Sequence, residues 1–81
     1  MKAVSVQQVY RVRVLVRKDP LNPQYWIARA LIDNELVVDQ GRTPEEAVSN
    51  IQEALELTLE DKLGHPVKVT IDADILGSTS S

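Results

Sequence analysis

Residues 40–61 read QGRTPEEAVSNIQEALELTLED, and this run decides the fold. It holds a strand end, a glycine turn, a complete helix start signal and a long amphipathic helix. Thr43 can accept a hydrogen bond from the amide of Glu46, and Glu46 can reach back to Thr43. Pro44 sits where a missing N–H costs nothing. Downstream, Ala47, Val48, Ile51, Ala54, Leu55, Thr58 and Leu59 fall on one stripe, the spacing of a helix packed by one side onto a sheet. Glu45 and Glu46 complement the positive helix start, Lys62 the negative end, and Gly64 supplies the stop. Glu53, Glu56 and Glu60 lie on the far, solvated side, and Leu57 falls off the stripe as rim packing.

Upstream, Val9 to Arg17 alternates with period two. Tyr10, Val12, Val14 and Val16 form one row; Val9, Arg11, Arg13, Leu15 and Arg17 form the other. A β-branched run of this kind is a half-buried strand with the Tyr10–Val16 row facing the core. Asp19-Pro20 and Asn22-Pro23 break the ladder, because proline lacks a donor and biases its predecessor away from helix. A second strand is expected from about Gln24 to Leu31. Asp33 and Asn34 favour a tight turn, and Leu36 to Gln40 reads as a third strand. After His65-Pro66, Val67, Val69 and Ile71 alternate with Lys68, Thr70 and Asp72, a fourth strand. The expected fold is one small α+β domain, β-β-β-α-β, over residues 1–75: an antiparallel-rich sheet with one helix on one face. Residues 76–81 are expected as a flexible tail.

In the second strand, Trp26, Ala28 and Ala30 are placed against the helix, where Ala47 and Ala54 allow close approach. Tyr25, Ile27, Arg29 and Leu31 then stand on the outer face beside Arg11 and Arg13. That face keeps large apolar groups which one helix cannot hide, so it is expected to meet another polypeptide.

A chain of 81 residues buries only about 60–65% of its unfolded surface, so a partner or a second copy would add needed stability. Hydrophobic content of 43% with 26% charged residues suits a soluble chain. The absence of cysteine excludes disulfides and thiolate metal sites. No apolar stretch approaches a membrane span and no charged-then-apolar leader opens the chain, which gives a cytoplasmic expectation. The net charge of −3 divides unevenly. Residues 1–31 carry six cations against Asp19 alone, net +5; the remainder holds eleven acids against Arg42, Lys62 and Lys68, net −8. Such polarity suits a charged partner or self-association, or is simply the decoration of two solvated faces.

The run from Gln40 resembles the HicB-like antitoxin family, whose members carry a strand ending in Gln-Gly, then Thr, then a Glu-Glu-Ala helix start. Asn50, Ile51, Glu53 to Leu57, Leu59 and Glu60 continue the likeness, which spans roughly Val9 to Leu63. The family's turn before the third strand usually reads Pro-Asp-Leu-Pro-Gly; here Ile32-Asp33-Asn34-Glu35-Leu36 keeps only Asp33. The resemblance implies a compact fold similar to a partial double-stranded-RNA-binding domain. It also implies an antitoxin that binds and occludes a small basic RNA-cleaving HicA-type toxin. The acidic surface of Glu53, Glu56 and Glu60 would then face the toxin. Many members add a C-terminal DNA-binding segment. Here the chain stops soon after the fourth strand, so autorepression is expected to need a separate DNA-binding protein.

Catalytic chemistry finds no footing. His65, the only histidine, reads as a helix-to-strand loop residue, and the glutamate pairs sit on a solvated face where nothing raises a pKa. Asp72 and Asp74 lack a third oxygen donor nearby in sequence, and Gly41, Gly64 and Gly77 are scattered rather than gathered into a phosphate loop. No enzyme, cofactor or metal site is expected. The arginine row leaves three readings: solvated cover with buried stems, a protein interface, or an RNA strip with Tyr25. A homo-oligomer, dimer or tetramer, through Arg11, Arg13, Tyr25, Ile27, Arg29 and Leu31 is expected. A stand-alone oligomeric accessory module without a toxin is the alternative function.

Overall fold

The computed structural model describes residues 9–76. Four strands and one helix follow in the order β1 (Val9–Lys18), β2 (Trp26–Ile32), β3 (Glu35–Gly41), α1 (Pro44–Leu63) and β4 (Lys68–Ile75). The strands form one mixed sheet ordered β3-β2-β1-β4. The β1–β2 and β2–β3 pairings are antiparallel, whereas β4 runs parallel to β1 from Val9↔Lys68 to Val16↔Ile75. That parallel neighbour follows from α1, which carries the chain from one sheet edge to the other. The α+β architecture is as expected. Residues 1–8 of the expected domain and 77–81 of the expected tail lie outside the described residues.

The core is a single apolar layer between sheet and helix. Ile51 and Leu55 lie fully buried against Val14, Val16, Ala28 and Val69, with Ala30, Ala47, Leu59 and Val67 completing the cluster. Burying a side chain the size of Ile51 or Leu55 contributes about 1.5–3 kcal/mol. The alanines of β2 let the helix approach closely, as their row predicts.

Three local details differ from expectation. β2 begins at Trp26, not Gln24, because residues 19–25 close a loop: Tyr25 N–H donates to Asn22 C=O at 2.9 Å and Asp19 N–H to Tyr25 C=O at 2.9 Å. The capping box is offset by one residue. Thr43 Oγ1 accepts from Glu46 N–H at 3.0 Å, but Glu46 Oε1 accepts from the amide of Arg42 at 2.6 Å. β4 also runs further than its alternation suggested, to Ile75, because β1 offers it a partner along that length.

Two turns set the register. Asp33 and Asn34 both adopt positive φ, 50° and 66°, the pattern of a two-residue type I′ hairpin. Gly41 lets the helix start touch the strand end: a β-carbon there would stand 2.5 Å from the Ala47 amide nitrogen. Gly64 closes the helix in the left-handed region at φ 79°, its N–H donating to Glu60 C=O at 2.8 Å.

Candidate functional site

The register assigns every outward side chain. Val38 lies opposite Arg29, Arg29 opposite Leu15, and Leu15 opposite Asp74. Leu31 lies opposite Leu36, and Arg13 opposite Asp72. The outer face therefore carries a guanidinium row at its centre, aliphatic groups on the β3 side and carboxylates on the β4 side. Leu31, Leu36 and Val38 are 65%, 60% and 50% exposed. No element among the described residues packs against this face, since α1 and its buried stripe lie on the opposite side.

The face is not flat. The registered pairing of β1 with β2 runs only from Lys18↔Trp26 to Leu15↔Arg29, although both strands continue beyond it. There β1 stays with β4 while β2 stays with β3, and a groove of about 730 Å³ opens between the ribbons. Leu15, Leu31 and Leu36 line it together with Arg11, Arg13 and Arg29. Arg11 Nη2 stands 3.7 Å from Asp72 Oδ2, both side chains being largely exposed, a pair of small energetic value in water. Among the described residues Arg13 and Arg29 have no ion pair, so their charge is available to a partner.

Of the expected interface residues, the structure brings Arg11, Arg13, Ile27, Arg29 and Leu31 onto one face. Tyr25 precedes β2, half-buried, with the Arg42 guanidinium 5.9 Å from its ring centre. That distance is within cation–π range. Leu15 joins the outer-face residues from the outward row of β1, as its alternation implies, whereas Leu36 and Val38 join from a strand whose sequence assigns neither to a face. Their signal was present only as a run, Leu36-Val37-Val38, that does not alternate in hydropathy.

The acidic helix surface divides. Glu53 is exposed and Glu60 half-buried. Glu56, expected on a solvated face, instead turns to the sheet: its Oε2 accepts from Val69 N–H at 3.1 Å, while Gln52 Nε2 donates to Val69 C=O at 2.7 Å. Glu56 and Gln52, one turn apart, thus occupy both backbone groups of one β4 residue. A matching contact lies on β3, where Asn50 Nδ2 donates to Gln40 C=O at 2.8 Å. At the far end of the helix Lys62 Nζ meets Glu35 Oε1 at 3.0 Å. The hydrogen bond that Lys62 donates to Glu35, then the charge of that carboxylate, hold the ammonium above its ordinary pKa.

No polar or charged residue is buried in the described structure. His65 is exposed, with Nδ1 3.1 Å from Pro66 C=O. No group of three or more His, Asp or Glu among the described residues is arranged to hold a metal ion. No helix among them is long and apolar enough to cross a membrane. Comparison with protein-family models, with characterised proteins and with solved structures finds no match.

Proposed function

We propose that this chain is a non-catalytic protein-binding module of the antitoxin type, acting in the cytoplasm by occluding a small basic RNA-cleaving toxin similar to HicA proteins. The observation that carries the protein-binding reading is the open outer face: exposed Leu31, Leu36 and Val38 beside the unpaired guanidinium groups of Arg13 and Arg29. Soluble domains seldom leave such a patch without an occupant. The antitoxin reading rests on the resemblance of the Gln40–Asp61 run. Glu53 and Glu60 remain the candidate acidic contacts to the toxin; Glu56 contributes charge but its carboxylate is engaged by β4.

The test is genetic. A neighbouring reading frame encoding a short basic protein is expressed with and without this chain. Toxicity relieved by co-expression is the expected result. A harmless neighbour, or one whose toxicity is unrelieved, contradicts the antitoxin reading.

A second reading, a homo-oligomeric accessory module without a toxin, is favoured by one observation. The outer face bears arginines on β1 and β2 and Asp72 and Asp74 on β4, so two such faces can stack with opposite charges in register. Ile27→Glu on that face should then dissociate the stacked copies, as read by light scattering. The same two aspartates count against RNA as the occupant, because they weaken the local field that phosphates need.

A further inference from the structure

Among the described residues both lateral edges of the sheet are strands without a neighbour, and polar side chains cover only part of each. On β4 the backbone groups of Val69 are taken by Gln52 and Glu56. On β3 the carbonyl of Gln40 is taken by Asn50, and its N–H donates to Asp39 Oδ1 at 2.8 Å. These contacts also fix the direction of the rest, since in a strand alternate residues turn their N–H and C=O to the same side. The outward groups of β3 are those of Gln40, Val38 and Leu36; those of β4 include Val69, Ile71 and Ala73. Among the described residues no side chain bonds the edge groups of Leu36, Val38, Ile71 or Ala73. Each edge therefore has one blocked position and one open window.

We propose that a second copy of this chain pairs with the open window of β3, antiparallel about a two-fold axis through Val37, fusing two four-stranded sheets into one. Three observations select this occupant. Leu36 and Val38 present donors and acceptors at the spacing that their own two-fold images require, about four backbone hydrogen bonds in all. On the outer face Leu36 of one copy then faces Val38 of the other, joining two exposed aliphatic groups in cross-strand pairs. At the ends Glu35 meets Asp39 of the second copy, a like-charge contact offset by Lys62 bound to Glu35 at 3.0 Å.

The helix supplies the third observation. Asn50 reaches β3 whereas Gln52 and Glu56 reach β4, so the flank of α1 nearest the β3 edge is that of Asn50. Ala54 and Leu57 share this flank at four and seven residues further on. Leu57 is 64% exposed and lies outside the buried stripe. Pairing β3 with its image brings two such flanks side by side, and small Ala54 permits the approach that covers Leu57. The edge of β4 is unsuited to the same use. Pairing it with itself through Ile71 and Ala73 sets Asp72 directly opposite Asp72, offset only by the looser 3.7 Å contact of each with Arg11, and brings no aliphatic cross-strand pair on the outer face.

This dimer shares only Leu36 and Val38 with the outer-face reading: it forms at the rim of that face, doubles it, and leaves Arg13, Leu15, Arg29 and Leu31 free. Stacking two doubled faces would give a tetramer. The test is sedimentation equilibrium of the full chain carrying Ile27→Glu, with Arg13→Glu as a second face variant in case the first perturbs folding. Either variant abolishes face stacking, so the expected mass is twice the 9.0 kDa chain. Adding Val38→Pro, which removes one edge N–H, should raise the dimer dissociation constant about tenfold or more. Leu57→Glu, at an exposed helical site, should do the same. Monomers in the face variants overturn the proposal, as does a dimer indifferent to both Val38→Pro and Leu57→Glu, or a mass that climbs without limit. None of these outcomes bears on toxin rescue, so the two readings fail separately.

Discussion

The two faces of one sheet are built from the same alternating strands, yet they solve opposite problems. On the helix side Val14, Val16, Ala28 and Val69 are sealed by Ile51 and Leu55, with no polar group among them. On the outer side Arg13, Leu15, Arg29, Leu31 and Val38 mix charge with aliphatic surface and lack any cover among the described residues. The first arrangement has one good packing solution and supplies stability. The second is left uncovered among the described residues, and it is the surface a proposed partner would complete. In a domain this small the two tasks are separated by nothing more than the parity of a residue in its strand.

That separation makes substitutions sort by face. The largest effects belong to the closed side. Leu55→Ala should cost about 2–5 kcal/mol in chemical denaturation, because a fully buried side chain leaves a cavity. Gly41→Ala should cost ~3 kcal/mol, since its β-carbon would stand 2.5 Å from the Ala47 backbone, which cannot yield without moving the helix start. Thr43→Ala, losing the bond to the Glu46 amide, should cost ~1 kcal/mol. Leu31→Lys on the open side should change stability by no more than about 0.5 kcal/mol while weakening partner association. A loss comparable to that of Leu55→Ala would erase the distinction between the faces.

The smallest effect is electrostatic. The folded Lys62 pKa is raised above its ordinary 10.5, first by the hydrogen bond it donates to Glu35. Its contribution is therefore fully present below 10.5 and is lost as pH rises through the folded value. Lys62→Met should flatten the alkaline limb of the stability profile. Because Lys62 lies in water, the neutral-pH stability should hardly move.

Much of the closed face was legible in the sequence. The alternation of Tyr10 to Val16, the Thr43–Glu46 start signal and the 47-51-55-59 stripe each state a local preference that agrees with the fold. The open side was legible only in part. Arg11, Arg13, Ile27, Arg29 and Leu31 could be placed together by parity alone. Leu36 and Val38 could not, because an unbroken aliphatic run assigns no face; the two-residue turn at Asp33-Asn34 and the Ile32↔Glu35 register do so. The roles of Asn50, Gln52 and Glu56 were hidden for another reason. Beside an apolar stripe, a polar side chain that caps a sheet edge has the same helical periodicity as one in water. Only the crossing of α1 from β3 to β4 brings these residues within reach of backbone.

Hydroxyl-radical footprinting of the native protein, in dilute and in concentrated solution and with the proposed toxin present, tests the central claim most directly. Oxidation of Leu31 and Leu36 should be strong in dilute solution and fall sharply once copies or the partner assemble, while Ile51 and Leu55 stay protected throughout. Leu31 and Leu36 oxidised equally under every condition would contradict it.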